Sequence, residues 1–301
     1  MKYILAITTT LLILTSCERE TRVIIPPQPP KLVGESMQGQ NVFPEARISR
    51  TRGVTDPLPP GNQNDPYIVN NATALLYEND ILKDSLKYNT TSRKYRAALA
   101  KIQVGKTYKL LISAPNFPAA EAISFTPLLV PINNLIFTRN ARFDADGNPQ
   151  DELKLTFTDN GATEDYYLLR ILDAFGSYLY CVNTKDKDVE KLVYEDPFYP
   201  DDCLQSDRLL LSDMNFNGTV KTLIFYAESG YLDQQNTPGG QKRATVELLH
   251  VNKDYYKYIK SVNSYENAVD NPFAEPVNLY SNVKNGYGLF TTYAIAIDSI
   301  R

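Results

Sequence analysis

Histidine is nearly absent from this sequence, which has one, His250, among 301 residues. A single imidazole excludes a metal site built from several histidines, and it leaves one candidate for every mechanism that uses histidine as a general acid or base. His250 alternates with Val246 and Leu248 in a strand-like pattern. A lone histidine in such a pattern is usually a satisfied residue of a core or a sheet edge. The sequence therefore predicts no catalytic histidine.

Motifs of common enzyme classes are also missing. There is no G-x-S-x-G nucleophile elbow, and Gly239 and Gly240 before Lys242 lack the spacing of a phosphate-binding loop. The paired carboxylates of glycosidases meet in space rather than in sequence, so a hydrolase stays open as an alternative. We expect a protein with no catalytic residues and no cofactor.

Clustered positive charge is missing as well. The chain has 31 Lys and Arg residues against 35 Asp and Glu residues, and its formal net charge is −4. A nucleic-acid partner needs a basic patch that neutralises phosphates, so none is expected here. With 43% hydrophobic and 22% charged residues, the chain instead has the composition of a globular protein with a buried core.

One long apolar run is present, and it lies at the N-terminus. It follows Lys2 and extends over residues 3–14, which is too short for a permanent transmembrane helix. The sequence Leu-Thr-Ser-Cys at 14–17 then resembles the bacterial lipobox, whose cysteine receives the lipid. Residues 1–16 are therefore predicted to be a lipoprotein signal peptide and Cys17 to be the lipidated residue.

Acyl chains on Cys17 would anchor the protein in a membrane without a transmembrane helix. We expect the outer membrane of a Gram-negative bacterium. Glu18 and Glu20 resemble the acidic signal for surface export, but Arg19 interrupts it. Both faces of the outer membrane, the periplasmic face and the surface face, therefore stay open.

Composition divides the rest of the chain into a tether and two β-rich domains. Residues 17–30 contain four prolines, which favour an extended tether. Short alternating segments bounded by turn residues follow, and they predict a mostly β fold with sandwiches. Because Pro127 and Pro131 bracket a short aliphatic run, we place one domain at 31–131 and a larger one at 132–301.

The predicted strands share alternation of apolar and polar residues or strong β propensity. They are 73–77, 83–88, 94–98, 107–113 and 120–125 in the first domain, and 135–139, 152–158, 166–172, 178–181, 220–227, 243–251 and 289–296 in the second. One helix is predicted after Asn252, which can cap it. Tyr255, Tyr258 and Ile259 would form its apolar face, either as packing against a sheet or as a ligand platform.

Four segments near the C-terminus carry a family resemblance: YYKYIK at 255–260, NPFAEP at 271–276, YSNV at 280–283 and NGYGLF at 285–290. Three upstream segments agree with them: KLVGE at 31–35, NATALLY at 71–77 and GKTYKL at 105–110. Together they resemble the lipoproteins that carry the domain of unknown function 4249. The resemblance covers nearly all of the chain after the predicted signal peptide.

This resemblance implies an N-terminal domain like an immunoglobulin or transthyretin sandwich. It also implies a TonB-dependent outer-membrane transporter, a barrel protein, as the neighbour and partner. It brings no catalytic residues. The NGYG turn at 285–288 is interpreted as architecture, since glycine permits positive φ or a close backbone approach.

Three further groups of residues are site candidates. Cys181 and Cys203 remain once Cys17 is lipidated, and we predict that they form a disulfide rather than two buried thiols. Asp144, Asp146 and Asn148 resemble the start of a calcium loop, but a β-turn explains them equally well, and no metal is predicted. Tyr194, Phe198 and Tyr199 lie among acidic residues and are the candidate contact with a partner.

The leading functional hypothesis is a non-enzymatic accessory or binding lipoprotein that works with a TonB-dependent transporter. A structural or adhesive envelope module and, third, a hydrolase are the alternatives. The oligomeric state is not predicted.

Lipidation of Cys17 is directly testable. Metabolic labelling with an alkynyl fatty acid should mark the wild-type protein and leave a Cys17→Ala variant unlabelled, because Cys17 alone occupies the lipobox. Equal labelling of the two proteins would contradict the assignment.

Overall fold

A computed structural model describes residues 29–53, 56–57, 65–192, 203–234, 242–269 and 273–300. Within these ranges the chain is mostly β, with one helix of several turns near the C-terminus. The predicted fold class is therefore confirmed.

The strands of the first part of the chain are β1 (Leu32–Gly39), β2 (Glu45–Arg50), β3 (Thr73–Glu78), β4 (Ile81–Asn89), β5 (Lys94–Arg96), β6 (Thr107–Ser113) and β7 (Ala120–Phe125). Those of the second part are β8 (Ile132–Phe143), β9 (Pro149–Thr158), β10 (Tyr166–Leu172), β11 (Leu209–Ser212), β12 (Val220–Glu228), β13 (Asp233–Gln234), β14 (Lys242–Arg243), β15 (Thr245–Val251) and β16 (Tyr287–Ser299). Helix α1 spans Lys253–Val269, and a 3-10 turn spans Asp213–Asn215.

Eleven strands form one hydrogen-bonded sheet in the order β11-β10-β15-β16-β1-β2-β5-β4-β3-β6-β7. Strand β16 pairs in parallel with β1 and antiparallel with β15, so it joins the early strands to the late ones. A second sheet has the order β12-β9-β8. The predicted boundary at residue 131 stays a prediction, but the large sheet draws its strands from both sides of it.

Alternating burial explains the strand pattern in the first part of the chain. Along β6, Tyr108, Leu110 and Ile112 are buried, while the residues between them are half-buried. They contribute to a core with residues of β1, β2, β3 and β7, and Phe290 of β16 joins it. The period of two in the sequence therefore reports a strand with one face toward this core.

A second core fills the space between the two sheets. Leu153, Leu155 and Phe157 of β9 face this core from the small sheet, and Tyr167 and Leu169 of β10 face it from the large one. The opposite face of β10 and β15 packs against helix α1 in a third cluster. Strand β10 is therefore covered on both faces, which explains its nearly continuous apolar sequence.

Helix α1 begins at the predicted place. The side-chain oxygen of Asn252 accepts a hydrogen bond from the backbone N–H of Tyr255 at 3.0 Å, so the predicted cap is confirmed. Tyr255 is buried, and Tyr258 and Ile259 pack against the same cluster, so the tyrosine stripe is packing. No helix in the described ranges is long and apolar enough to cross a membrane.

One predicted strand, 178–181, is wrong. Among the described residues, only Tyr178 of this segment makes a β-bridge, with Leu172, and the residues just after the segment bridge to other partners, Val182 to Leu204 and Asn183 to Tyr226. A segment that changes partner so often has strand-like composition but cannot form a continuous ladder. Conversely, strands β2 and β11 were not predicted. In β11 three buried residues follow one another, so its sequence lacks the alternation of apolar and polar residues that indicates a strand.

The parallel pairing of β1 with β16 depends on a close backbone approach. Gly34 lies opposite Gly288. Gly288 has a φ of 111°, and a Cβ atom there would lie 2.1 Å from the carbonyl oxygen of Gly34. A Cβ at Gly286 would lie 2.6 Å from the carbonyl oxygen of Leu32. The interpretation of the NGYG turn as architecture is confirmed.

Substitution at Gly288 should therefore be severe. We expect Gly288→Ala to lower the free energy of unfolding by about 3 kcal/mol or more, because the new methyl group meets backbone atoms that hold the sheet together. Urea denaturation measures this change. Gly147→Ala is the matched control, since Gly147 also has positive φ, 84°, but a Cβ there has nothing within 4 Å. Equal losses in the two variants would contradict the explanation by close approach.

Candidate functional site

A cleft of about 570 Å³ opens at one end of the small sheet. Its walls are the turn between β8 and β9, the first residues of β9, the last residues of β12 and the irregular segment around Cys181. The strand ends lie together because Gln150 of β9 pairs with Glu228 of β12. Three stretches that are distant in sequence, 144–150, 179–183 and 226–231, thus share one concave surface.

The lining combines aromatic faces with acceptors of hydrogen bonds. It includes the tyrosines Tyr180, Tyr226 and Tyr231, the acids Asp144, Asp146 and Glu228, and the amides Asn148, Gln150 and Asn183. Aromatic faces next to a few convergent polar groups are typical of binding sites for small organic molecules.

The weak calcium candidate forms the turn at the rim of the cleft. The Oδ1 atom of Asp144 accepts hydrogen bonds from the backbone N–H groups of Asp146 at 3.0 Å and Asn148 at 2.8 Å. The amide of Asn148 donates to Oδ2 of Asp144 at 3.1 Å. Hydrogen bonds from Asn148 lower the pKa of Asp144. This carboxylate closes a turn, as in the β-turn alternative.

Tyr226 is held rigidly in the wall. Its hydroxyl donates to Glu152 at 3.0 Å, and the guanidinium of Arg142 lies 3.7 Å from the centroid of its ring. Burial, followed by the hydrogen bond to Glu152, raises the pKa of Tyr226. The ring therefore offers a fixed surface, since it is held both at its hydroxyl and on one face.

Asn183 contributes a side-chain oxygen that lacks a hydrogen-bond donor among the described residues. Its backbone pairs with that of Tyr226 through two hydrogen bonds of 2.8 Å. Its side-chain oxygen is buried and has no hydrogen-bond partner among the described residues. A buried acceptor without a donor costs about 1–3 kcal/mol, so a hydrogen-bond donor brought to this oxygen would lower the free energy of the site.

The structure brings Cys181 and Cys203 together as a disulfide, with Cα atoms 5.1 Å apart. Cys181 lines the cleft. Next to the disulfide, Val182 and Leu204 exchange two backbone hydrogen bonds of 2.9 Å. The disulfide and this bridge fix both ends of a long excursion of the chain.

Several predicted site residues lie outside the described residues. They are Cys17, Tyr194, Phe198 and Tyr199. The last three belong to the excursion, which leaves the described chain after Leu192 and returns at Cys203. The candidate partner contact therefore follows the cleft wall in sequence and stays a prediction.

His250 does not line the cleft. It is 5% exposed and stacks on Tyr167, with ring centroids 5.0 Å apart. Its Nδ1 lies 2.8 Å from the carbonyl oxygen of Leu128, and its Nε2 lies 3.2 Å from Oδ1 of Asp165. The interpretation as a satisfied residue of the interior agrees with these contacts.

Comparison with known families now adds to this geometry. A family model described as a domain of unknown function (DUF4249) matches residues 18–297. The chain belongs to this family. The match extends over the cleft walls, both cysteines of the disulfide and most of strand β16. No curated protein matches the sequence of this DUF4249 member.

Sequence reasoning identified the acidic turn and the cysteine pair but missed most of the cleft. Gln150, Asn183 and Tyr231 come from separate segments and have no motif in common. The sequence signal nearest to them was the cysteine pair, because Asn183 follows Cys181 by two positions. Tertiary pairing of β9 with β12 was needed to assemble the rest.

The disulfide can be tested by labelling. In a Cys17→Ala background, the unfolded and unreduced protein should show no reactive thiol, because both remaining cysteines are paired. Reduction before unfolding should expose both thiols and lower the free energy of unfolding by roughly 3 kcal/mol, in the chain-entropy account of a loop of this size. Labelling of two sulfurs per chain without reductant would refute the pairing.

Proposed function

We propose that this protein is an outer-membrane-anchored, non-enzymatic lipoprotein that binds a polar ligand and acts as an accessory of a TonB-dependent transporter. The observation that carries the binding role is the tyrosine-lined cleft with the buried, unpartnered oxygen of Asn183. The lipobox at Cys17 supports the anchor. The family resemblance supports the transporter as a partner.

The chemistry of the cleft favours a ligand rich in hydrogen-bond donors. Asn183, Asp146 and Glu228 supply acceptor oxygens from three different segments. The tyrosine rings supply flat apolar surface to the same space. Hydroxyl-bearing or amine-bearing molecules with one apolar face complement this arrangement.

The environments of two titratable side chains, Asp144 and His250, support binding without catalysis. The carboxylate of Asp144 is committed to its turn, and its pKa is lowered, which is the wrong direction for a general acid. His250 makes its contacts in the interior. Asp146 and Glu228 both line the cleft, and this meeting of carboxylates favours a hydrolase as the second candidate.

The predicted tether fits a role beside a barrel. Residues between Cys17 and Lys31, extended at ~3.1 Å each, let the folded part stand up to ~40 Å from the membrane plane. The excursion with Tyr194, Phe198 and Tyr199 then offers aromatic anchors among acidic residues close in sequence to the cleft. Loops on a rigid β scaffold are where binding residues concentrate.

Photocrosslinking in intact cells tests the partnership. A photoreactive phenylalanine analogue at Tyr199 in the excursion, or at Tyr231 on the cleft, should give adducts with a barrel protein that mass spectrometry identifies. The same analogue at Ile81, which is 63% exposed at the start of β4, is the matched control and should not capture the barrel.

Capture at Ile81 but not at Tyr199 or Tyr231 would reject this contact surface. Capture at none of the three positions would reject the partnership itself. Hydrolysis of a glycoside by the purified protein, lost in Asp146→Asn or Glu228→Gln, would replace the binding role by the hydrolase.

A further inference from the structure

Three buried carboxylates meet at the end of β9 that is opposite to the cleft. Asp159 directly follows β9, Asp165 directly precedes β10, and Asp213 directly follows β11. Each carboxylate offers an oxygen that lies within 4.8 Å of an oxygen of the other two. None of the three residues is more than 5% exposed.

Part of this cluster is satisfied by hydrogen bonds. Asp159 accepts from the hydroxyl of Tyr167 at 2.5 Å and from the backbone N–H of Gly218 at 2.7 Å. Asp213 accepts from the backbone N–H of Asp165 at 2.9 Å. These bonds fix the direction of the two carboxylates and hold the three chain segments together.

Only one of the two carboxylate oxygens of Asp165 has polar partners among the described residues. Its Oδ1 accepts from the hydroxyl of Thr163 at 2.8 Å and lies 3.2 Å from Nε2 of His250. Its Oδ2 is buried and, across the described part of the chain, has no hydrogen-bond partner. A carboxylate oxygen kept from water and from every donor is costly unless a cation faces it.

The charge of the cluster is also poorly balanced. Among the described residues, His250 is the one basic side chain that lies within ion-pair distance of any of the three carboxylates. The carbonyl oxygen of Leu128 can only accept, so Nδ1 of His250 donates a hydrogen bond to it. If Nε2 is protonated as well, the imidazole ring carries one positive charge and no more. At least two negative charges stay uncompensated if all three carboxylates are ionised.

We propose that Asp159, Asp165 and Asp213 bind a divalent cation of the calcium class. The donors are all carboxylate oxygens, which suit a hard cation and do not suit zinc, which favours sulfur and imidazole. The three ligands come from irregular segments, and calcium tolerates such geometry better than magnesium, which demands a near-ideal octahedron. The ion would meet the unpartnered oxygen of Asp165 and neutralise the excess charge.

Such an ion would lock the loop between β9 and β10 onto the turn after β11. These segments already lie close, because a Cβ atom on Gly161 would come within 2.9 Å of the Cα atom of Gly218. The site is separate from the cleft, since none of the three aspartates lines it. The proposal therefore stands independently of the proposed function.

Metal binding to the mature, detergent-extracted protein tests the proposal. After removal of metals with a chelator, equilibrium dialysis against Ca²⁺, with Mg²⁺ and Zn²⁺ in parallel, should show one Ca²⁺ per chain. Ca²⁺ should also raise the melting temperature by several degrees, because it binds the folded state. Absence of stoichiometric Ca²⁺ uptake would overturn the proposal, and preferential uptake of Zn²⁺ would overturn the assignment to calcium.

Variants locate the site. Asp213→Asn keeps the shape of the side chain and should weaken Ca²⁺ binding by at least about tenfold, since it removes one charged ligand. Its melting temperature without metal should be equal to or above that of the wild type, because one buried charge is gone. Asp165→Asn serves as a second variant if Asp213→Asn does not fold.

The matched control is Asp146→Asn in the acidic turn at the cleft, which should leave Ca²⁺ affinity unchanged. Loss of binding in Asp146→Asn with binding retained in Asp213→Asn would move the site to the turn and overturn the proposal. Equal affinity in all three proteins would overturn it as well.

Discussion

The fold depends on one contact, the parallel pairing of β1 with β16. The first and last strands of the described chain meet at this contact, and Gly288 lets its backbone approach the carbonyl group of Gly34. Buried hydroxyls reinforce it from the side of β7, where Ser124 and Thr126 hydrogen-bond to Thr292 at 3.0 Å and 2.8 Å. The contact joins residues far apart in sequence, and such non-local pairings slow folding, because the entropy of loop closure is lost before they form.

Other features follow from that contact. Strand β16 continues beyond β1 to pair with β15, which in turn pairs with β10. This platform of strands receives helix α1 on one face and the small sheet on the other. The cleft and the aspartate cluster lie at the two ends of β9, and the cluster also takes Asp165 and Asp213 from the ends of β10 and β11 in the large sheet. Both sites therefore depend on strand β16, which contributes no residue to either site.

Tyrosine serves two purposes in this molecule. Several buried or half-buried rings pack into cores while their hydroxyls reach a carboxylate, as Tyr108 does with Glu78 at 2.8 Å and Tyr167 with Asp159 at 2.5 Å. Tyr280 donates to Asp254 at 2.5 Å, and burial, with this hydrogen bond, raises the pKa of Tyr280 to about 12. In the described structure, the Tyr167–Asp159 pair keeps a buried acid in the interior without an ion pair to a basic side chain. Other tyrosines, Tyr180 and Tyr231 among them, line the cleft.

The sequence by itself determined what depends on neighbours along the chain. Alternation over a few residues located β6 and β7 with their full bounds, and Asn252 marked the start of helix α1. Both signals are local, since a pleated strand repeats every two residues and a cap acts within one helical turn. Family membership was also readable from the segments near the C-terminus, and the match over 18–297 confirms it.

Only the tertiary structure decided what depends on distant segments. The placement of β16 between β1 and β15, the cleft around Asn183 and the meeting of Asp159 with Asp213 join residues that share no local pattern. The segment at 178–181 has the composition of a strand, yet in the described structure only its Tyr178 makes a bridge, and the residues that follow bridge to different partners. Propensity describes how a residue fits a pleated surface, whereas pairing is set by which surfaces the rest of the chain supplies.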